Sequence, residues 1–200
     1  MHHWYSKPEP DDPWYDVANI EAVIEGSERP DEIVQLISHK DSMSWIDSPG
    51  TRDNCVGLVA NLEMARLLAG AAAGDEIVAV LNVDSLDGKS DEDTAGGKLT
   101  HVVAYSTDEE KALAEQVAWC AERHGIDLVP KVVFKEKVND DDGMYINAGF
   151  RRTVMNVGSF PYEDAEYHLV VDVPERVNVE NVVRSAQVVL AAAVEISQDA

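Results

Sequence analysis

The chain has 200 residues, enough for one domain with a sizeable core, and its 38 Asp and Glu against 16 Lys and Arg leave a formal net charge of −22. A polyanion of this kind repels nucleic acid and anionic membrane surfaces, which argues against both as partners. No apolar run reaches membrane-span length and the N-terminus lacks a basic-then-apolar leader, so a cytoplasmic protein is expected.

The acidic groups are dispersed along the chain instead of forming a tail. That is the pattern of a surface adapted to concentrated salt, where screening removes self-repulsion. Cys55 and Cys120 stand in separate predicted helices without metal-type spacing and read as small core residues.

Residues 1–16 are polar, proline-broken and aromatic, and are expected as an extended arm ahead of a domain over residues 17–200; His2 and His3 read as part of a frayed terminus. Val17 to Glu25 alternates toward a strand, and Gly26-Ser27-Glu28-Arg29-Pro30 turns into the short apolar run Ile33 to Ser38, so a hairpin is predicted. Ser38 to Gly57 is a long polar connection. Behind it a helix is expected from about Cys55 to Ala69, with Leu58, Leu62, Ala65 and Leu68 on one face.

Small residues end that helix, and Ile77 to Val83 follows as a strand buried on both faces. Asp84 stands at its carboxyl end. An acidic loop from Asp87 to Gly97 leads to a strand over Leu99 to Ser106. A helix from Asp108 to His124 is opened by Thr107 and Glu110 as a capping box. Val129 to Val138 is a further strand, Asn139 to Gly143 an acidic turn before a short helix to Gly149, and Thr153 to Val157 a strand. Gly158 to His168 is an irregular loop and Val179 to Ile196 a long terminal helix. Strands alternating with helices predict a three-layer α/β/α sandwich with a mixed, mostly parallel sheet.

Ligands in open α/β sheets gather at the carboxyl ends of strands. His39 and Asp41 leave the first of these strand ends as His-x-Asp, with Asp53 four residues ahead of Gly57. An imidazole and carboxylates there suit a divalent ion such as zinc. His-x-Asp alone is common, and Asp53-Asn54 also reads as a helix cap. Asp84 and His168, at later strand ends, tip the balance toward a metal site.

From Val17 to Ile196 the order of these motifs resembles the co-catalytic di-zinc aminopeptidases, the clan that also holds glutamate carboxypeptidase II and the non-catalytic transferrin-receptor ectodomain. HKDS is similar to that family's His-x-Asp-Ser, SPGTRDNCVG to its Pro-Gly-x-x-Asp-Asn-x-x-Gly loop and LNVDSLDG to its Asn-x-Asp strand end. NDDDGMYINAGF resembles its acidic turn and helix, and YHLVVDVPE its late Tyr-His-x-x-x-Asp. The resemblance implies that Asp53 bridges two zinc ions, with His39 and Asp84 completing the first metal and His168 serving the second. It makes Asp41 an outer residue that fixes the His39 ring, and brings Asp140, Asp141 and Asp142 to the same edge. Arg52 falls where the family varies and receives no role.

One part of the family pattern is missing. A strand and helix carrying a Glu-Glu pair normally precede the Asn-x-Asp strand, the first Glu acting as general base and the second as a metal ligand. Here Ala69 runs through small residues straight into the Asp84 strand. Asp75-Glu76 stands at the wrong end of that strand, and Glu109-Glu110 belongs to the capping box, so no catalytic residue is identified. The chain thus resembles a shortened copy in which one zinc binds better than two and hydrolysis of peptide N-terminal residues is weak or lost. The alternatives are an inactive relative kept for interaction and a plain metal-binding or structural domain. With an interior strand gone, either Ile77 to Val83 moves across or a second copy pairs with the exposed edge as a homodimer.

Overall fold

The computed structural model describes residues 19–23, 29, 31–42, 48–68, 76–138, 140–159 and 164–199. The arm expected over residues 1–16 lies outside them. Of the strand expected from Val17 to Glu25, only residues 19–23 are described, and these form no strand. The predicted hairpin is therefore not formed there.

Five strands make one sheet in the order β1-β2-β5-β3-β4. They are β1 (Glu32–Ile37), β2 (Glu76–Val83), β3 (Thr100–Tyr105), β4 (Val129–Phe134) and β5 (Thr153–Val157). Only the β3/β5 pair is antiparallel; β1/β2, β2/β5 and β3/β4 are parallel. The sheet is mixed and mostly parallel, as expected. β2 pairs directly with β1, Leu36 opposite Leu81.

Strand alternation sorts the sheet's residues onto two faces. Ala79, Leu81, Val83, Val103 and Val154 point to one, where α1 (Val56–Leu68), α3 (Asp108–Ala118) and α6 (Val179–Asp199) cover them with Met64, Leu113, Val117, Val188, Val189 and Ile196. The other face carries Val102, Ala104, Met155 and Val157. α5 (Asp141–Asn147) lies against β2 and β5 there, its Asp142 joined to Met155 through Lys135. Helices on both faces give three layers.

Several expected details differ. On α1 the buried residues are Val56, Gly57, Ala60 and Met64, while Leu62 is 61% exposed. The helix is docked by its small residues, and leucine spacing alone misjudged the face. Cys55 is exposed, not a core residue, because it ends the irregular turn Thr51–Cys55 ahead of α1; Cys120 is buried. The helix expected from Asp108 to His124 breaks at Trp119 into α3 and α4 (Cys120–Arg123). Its predicted capping box is present, Thr107 and Glu110 satisfying each other's backbone N–H groups. The acidic loop holds a short helix, α2 (Asp91–Ala95), capped by the Ser90 hydroxyl.

Candidate metal site

Asp53 sits in the turn Thr51–Cys55, which is entered through Gly50 in the left-handed conformation (φ 65°). A side chain at Gly50 would begin 2.8 Å from the Asp53 carbonyl, so glycine is required by conformation and by space. The Asp53–Asn54 peptide bond is cis. Asn54 then ties the turn to the end of β2: its Nδ2 donates to Val83 O at 2.8 Å, and its Oδ1 accepts from Gly57 N at 3.0 Å and Ser85 N at 3.3 Å. Gly57 leaves the room this amide needs, since a Cβ there would meet Asn54 and the Val83 carbonyl well inside 3.0 Å. One buried amide thus sets Asp53 against Asp84.

His39, two residues beyond the end of β1, closes the group. Its Nε2 lies 3.1 Å from Asp53 Oδ1 and 3.6 Å from Asp84 Oδ1. Its Nδ1 lies 3.1 Å from the Asp41 carbonyl oxygen and 3.4 Å from Asp41 Oδ1, so the backbone of Asp41 makes the nearer contact. The protonated ring donates Nδ1–H to Asp41 and Nε2–H to Asp53, and only loss of the Nε2 proton would free that nitrogen as a ligand. Burial lowers the affinity of His39 for a proton, but hydrogen bonds to Asp53 and Asp84 and the charges of both reverse this and carry its pKa up to about 11. The pocket's field therefore demands positive charge at this point.

His168 approaches Asp53 from the other side, its Nε2 2.7 Å from Oδ2. The two oxygens of Asp53 thus face one histidine each. Tyr167 stacks on His168 with ring centroids 3.8 Å apart and planes at 19°. Burial first, then the charges of Asp53, Asp84 and Asp140, raises the Tyr167 hydroxyl's pKa, so it is a neutral donor.

The acidic turn divides. Lys135, 3% exposed, holds Asp140 at 2.8 Å and Asp142 at 3.1 Å, which commits both to an ion pair beneath the sheet. Asp141 instead feels His39, Asp84 and Asp41; burial raises its carboxyl pKa, opposed by His39 and reinforced by its acidic neighbours.

Arg52 went unassigned from sequence, and the structure makes it the most heavily paired residue near the site. It is 7% exposed and surrounded by Asp164, Glu166 and Asp172. Only the rarity of a basic residue in an acidic loop could have marked it. The carboxylates that could stand in for the family's Glu pair lie elsewhere. Glu109 is exposed and faces Arg151 at 3.6 Å, and Glu110 is used in the capping box. Glu76 starts β2, about 25 Å of strand from Asp84. Asp75 lies outside the described residues.

His39, Asp53 and Asp84 present ligand atoms all within 4.8 Å of one another. One imidazole and two carboxylates, with no Lys or Arg among them, form a donor set that fits zinc. A second group among the described residues, Cys120, His124 and Glu195, is equally close, although cysteine spacing gave no hint of it. There the Arg123 guanidinium donates to both oxygens of Glu195 and to Cys120 Sγ at 2.9 Å. A cation already fills that group.

Residues 19–74 match the model of peptidase family M28. No curated protein matches the chain. Among solved structures, the LapA aminopeptidase of Legionella pneumophila superposes with a TM-score of 0.67 at 17% identity, over 85% of this chain and 52% of that one. The aminopeptidase of Aneurinibacillus sp. strain AM-1 gives 0.65 at 15%, over 85% and 45%. A glutaminyl cyclase from an Acidobacteriales bacterium gives 0.64 at 12%, over 88% and 72%. The chain spans about half the length of those two aminopeptidases. The chain has the fold of these aminopeptidases, and its segment 19–74, which supplies His39 and Asp53, matches the model of peptidase family M28.

Proposed function

We propose that this domain binds zinc through His39, Asp53 and Asp84, with His168 on the far oxygen of Asp53, and that its aminopeptidase activity on peptide N-termini is weak or lost. The observation that carries this is the convergence of the three donors within 4.8 Å. Three donors serve the first position and only Asp53 and His168 the second, so one ion binds better than two.

Zinc held there supplies a Lewis acid and lowers the pKa of a coordinated water toward ~7. The protein's own contribution is positioning. The Asp41 carbonyl fixes the His39 tautomer, Asn54 sets the separation of the two carboxylates, and Tyr167 supports the His168 ring. A general base is the missing part, and a positioned one typically contributes about 10² to 10⁴ in rate. Asp141, outside the donor set, feels the charges of both His39 and Asp84.

The test is zinc analysis and competition titration of the purified chain and of Asp53→Ala in molar KCl, with an assay on aminoacyl substrates. The expected result is about one zinc per chain, lost in Asp53→Ala, with turnover weak or nil. Zinc content that ignores Asp53→Ala would remove the site. Robust turnover abolished by that substitution would show that a carboxylate of this chain serves as the base. Metal binding without turnover that persists across peptide substrates leaves the interaction-domain alternative standing.

A further inference from the structure

We infer that Arg52 is the positioning residue of the second half of the site, clamping the loop that carries His168 onto the turn that carries Asp53. This rests on the zinc-site reading above and adds to it a residue outside the donor set. All three acidic partners of Arg52 come from the single segment between Asp164 and Asp172, and His168 lies at its centre.

The contacts run through backbone and side chain together. Thr51 N donates to the Asp172 carbonyl at 3.4 Å, Arg52 N to Asp172 Oδ1 at 2.9 Å, and Asp53 N to Asp172 Oδ2 at 3.3 Å. The guanidinium spans the loop. Its Nε lies 3.5 Å from Asp172 Oδ1, and its Nη2 lies 3.5 Å from Asp164 Oδ1 and bonds Glu166 Oε2. The side chains of Asp164 and Asp172 are 8% and 2% exposed, so solvent screens these charges little.

Two features show that the loop needs holding. His168 has φ 58°, the left-handed region, which is unfavourable for a non-glycine residue and persists only where surroundings enforce it. The loop also gathers three carboxylates in a small buried space beside Asp53, which repel one another unless a cation sits among them. Arg52 meets both needs: it neutralises the acids, and its planar fork fixes their directions in a way a lysine cannot. Arg176, 54% exposed, touches only Glu166 of the three and cannot replace it.

The experiment uses the whole chain in molar KCl with Arg52→Lys and Glu166→Gln. The first keeps the charge and loses the fork; the second is confined to the loop. The primary readout is the ring chemical shifts of His39 and His168 in metal-free protein at one pH, with His168 assigned through His168→Gln. His168 is expected to shift and broaden in both variants while His39 stays in place. The second readout is zinc titration, where the first equivalent is expected to be retained and any weaker second equivalent to fall at least tenfold.

Unchanged His168 resonances in either folded variant overturn the inference. Collapse of the whole fold in Glu166→Gln also overturns it, since Arg52 would then be a residue of the fold. Failure of the zinc reading appears separately, as wild-type protein that binds no zinc, and leaves the metal-free ring shifts able to decide the role of Arg52.

Discussion

Gly57→Ala tests the idea that Asn54 sets the distance between Asp53 and Asp84. A methyl at Gly57 would overlap both the Asn54 amide and the Val83 carbonyl. The carbonyl is held in β2, so the amide must yield. Asn54, 1% exposed, would then lose its bonds to Val83 O (2.8 Å) and Gly57 N (3.0 Å) and the longer one to Ser85 N. Each such bond is worth about 1 kcal/mol net, and each buried partner left stranded costs about 1–3 kcal/mol. The three bonds together put the expected loss at about 3 kcal/mol, and more where a partner is stranded; a domain of ordinary stability, about 5–15 kcal/mol, survives the lower figure. Urea denaturation in molar KCl measures it. Zinc affinity should fall about tenfold for each 1.4 kcal/mol of misalignment transmitted to the carboxylates. Asn54→Ala should give a similar zinc defect, and the double variant should fall short of the sum, because both act through one amide. A Gly57→Ala protein within 0.5 kcal/mol of wild type, with unchanged zinc affinity, would refute the reasoning.

Two further outcomes follow from charge and burial. The Debye length shrinks from about 30 Å at 0.01 M salt to about 3 Å at 1 M, so a chain of net charge −22 should gain thermal stability steeply with KCl; melts that are flat across that range contradict a salt-adapted surface. His101 is fully buried with neither ring nitrogen partnered among the described residues, and burial lowers its pKa to about 4. The unfolded chain takes up this proton near pH 6.5 and the folded chain only near 4, so His101 should cost stability as pH falls through that window, by up to about 3 kcal/mol. Replacing it with Leu should flatten that part of the pH profile of urea midpoints, and an unaltered slope would show that His101 stays solvated.

The layered fold was legible because its signals are local. β2 is a nearly continuous apolar run, the Thr107/Glu110 box announces α3, and the long amphipathic stretch after Val179 becomes α6. His39, Asp53, Asp84 and His168 were legible through motif order, and the structure does bring them to one edge. What depended on tertiary contact was not readable. Arg52 looks like any loop arginine until the segment between Asp164 and Asp172 folds back over it, 112 to 120 residues later in the chain. The buried face of α1 was misjudged because helix docking here favours Ala60 and Gly57, which let β2 approach, over the larger Leu62. Asp140 and Asp142 were grouped with Asp141 by adjacency, and only the burial of Lys135 separates their roles.

The pairing of β1 with β2 bears directly on the site. His39 and Asp84, just beyond the ends of those two strands, are brought side by side by backbone register: Ile37 lies opposite Asn82. Under the proposed zinc reading, two donors of the first position thus follow directly from paired strands. The second does not inherit that support. It rests on the Asp53 carboxylate and on His168, which stands in a strained loop and is held by ion pairs instead of strand hydrogen bonds. A general base must be aimed at one reacting atom. Asp141, at the first turn of α5, feels the charges of His39 and Asp84, and burial raises its carboxyl pKa. Its side chain is shorter than a glutamate's by one methylene, and its place is set by a helix packed on the opposite layer from α1. Under the proposed zinc reading, the expected combination is metal retention with impaired proton transfer, which zinc binding without turnover would display.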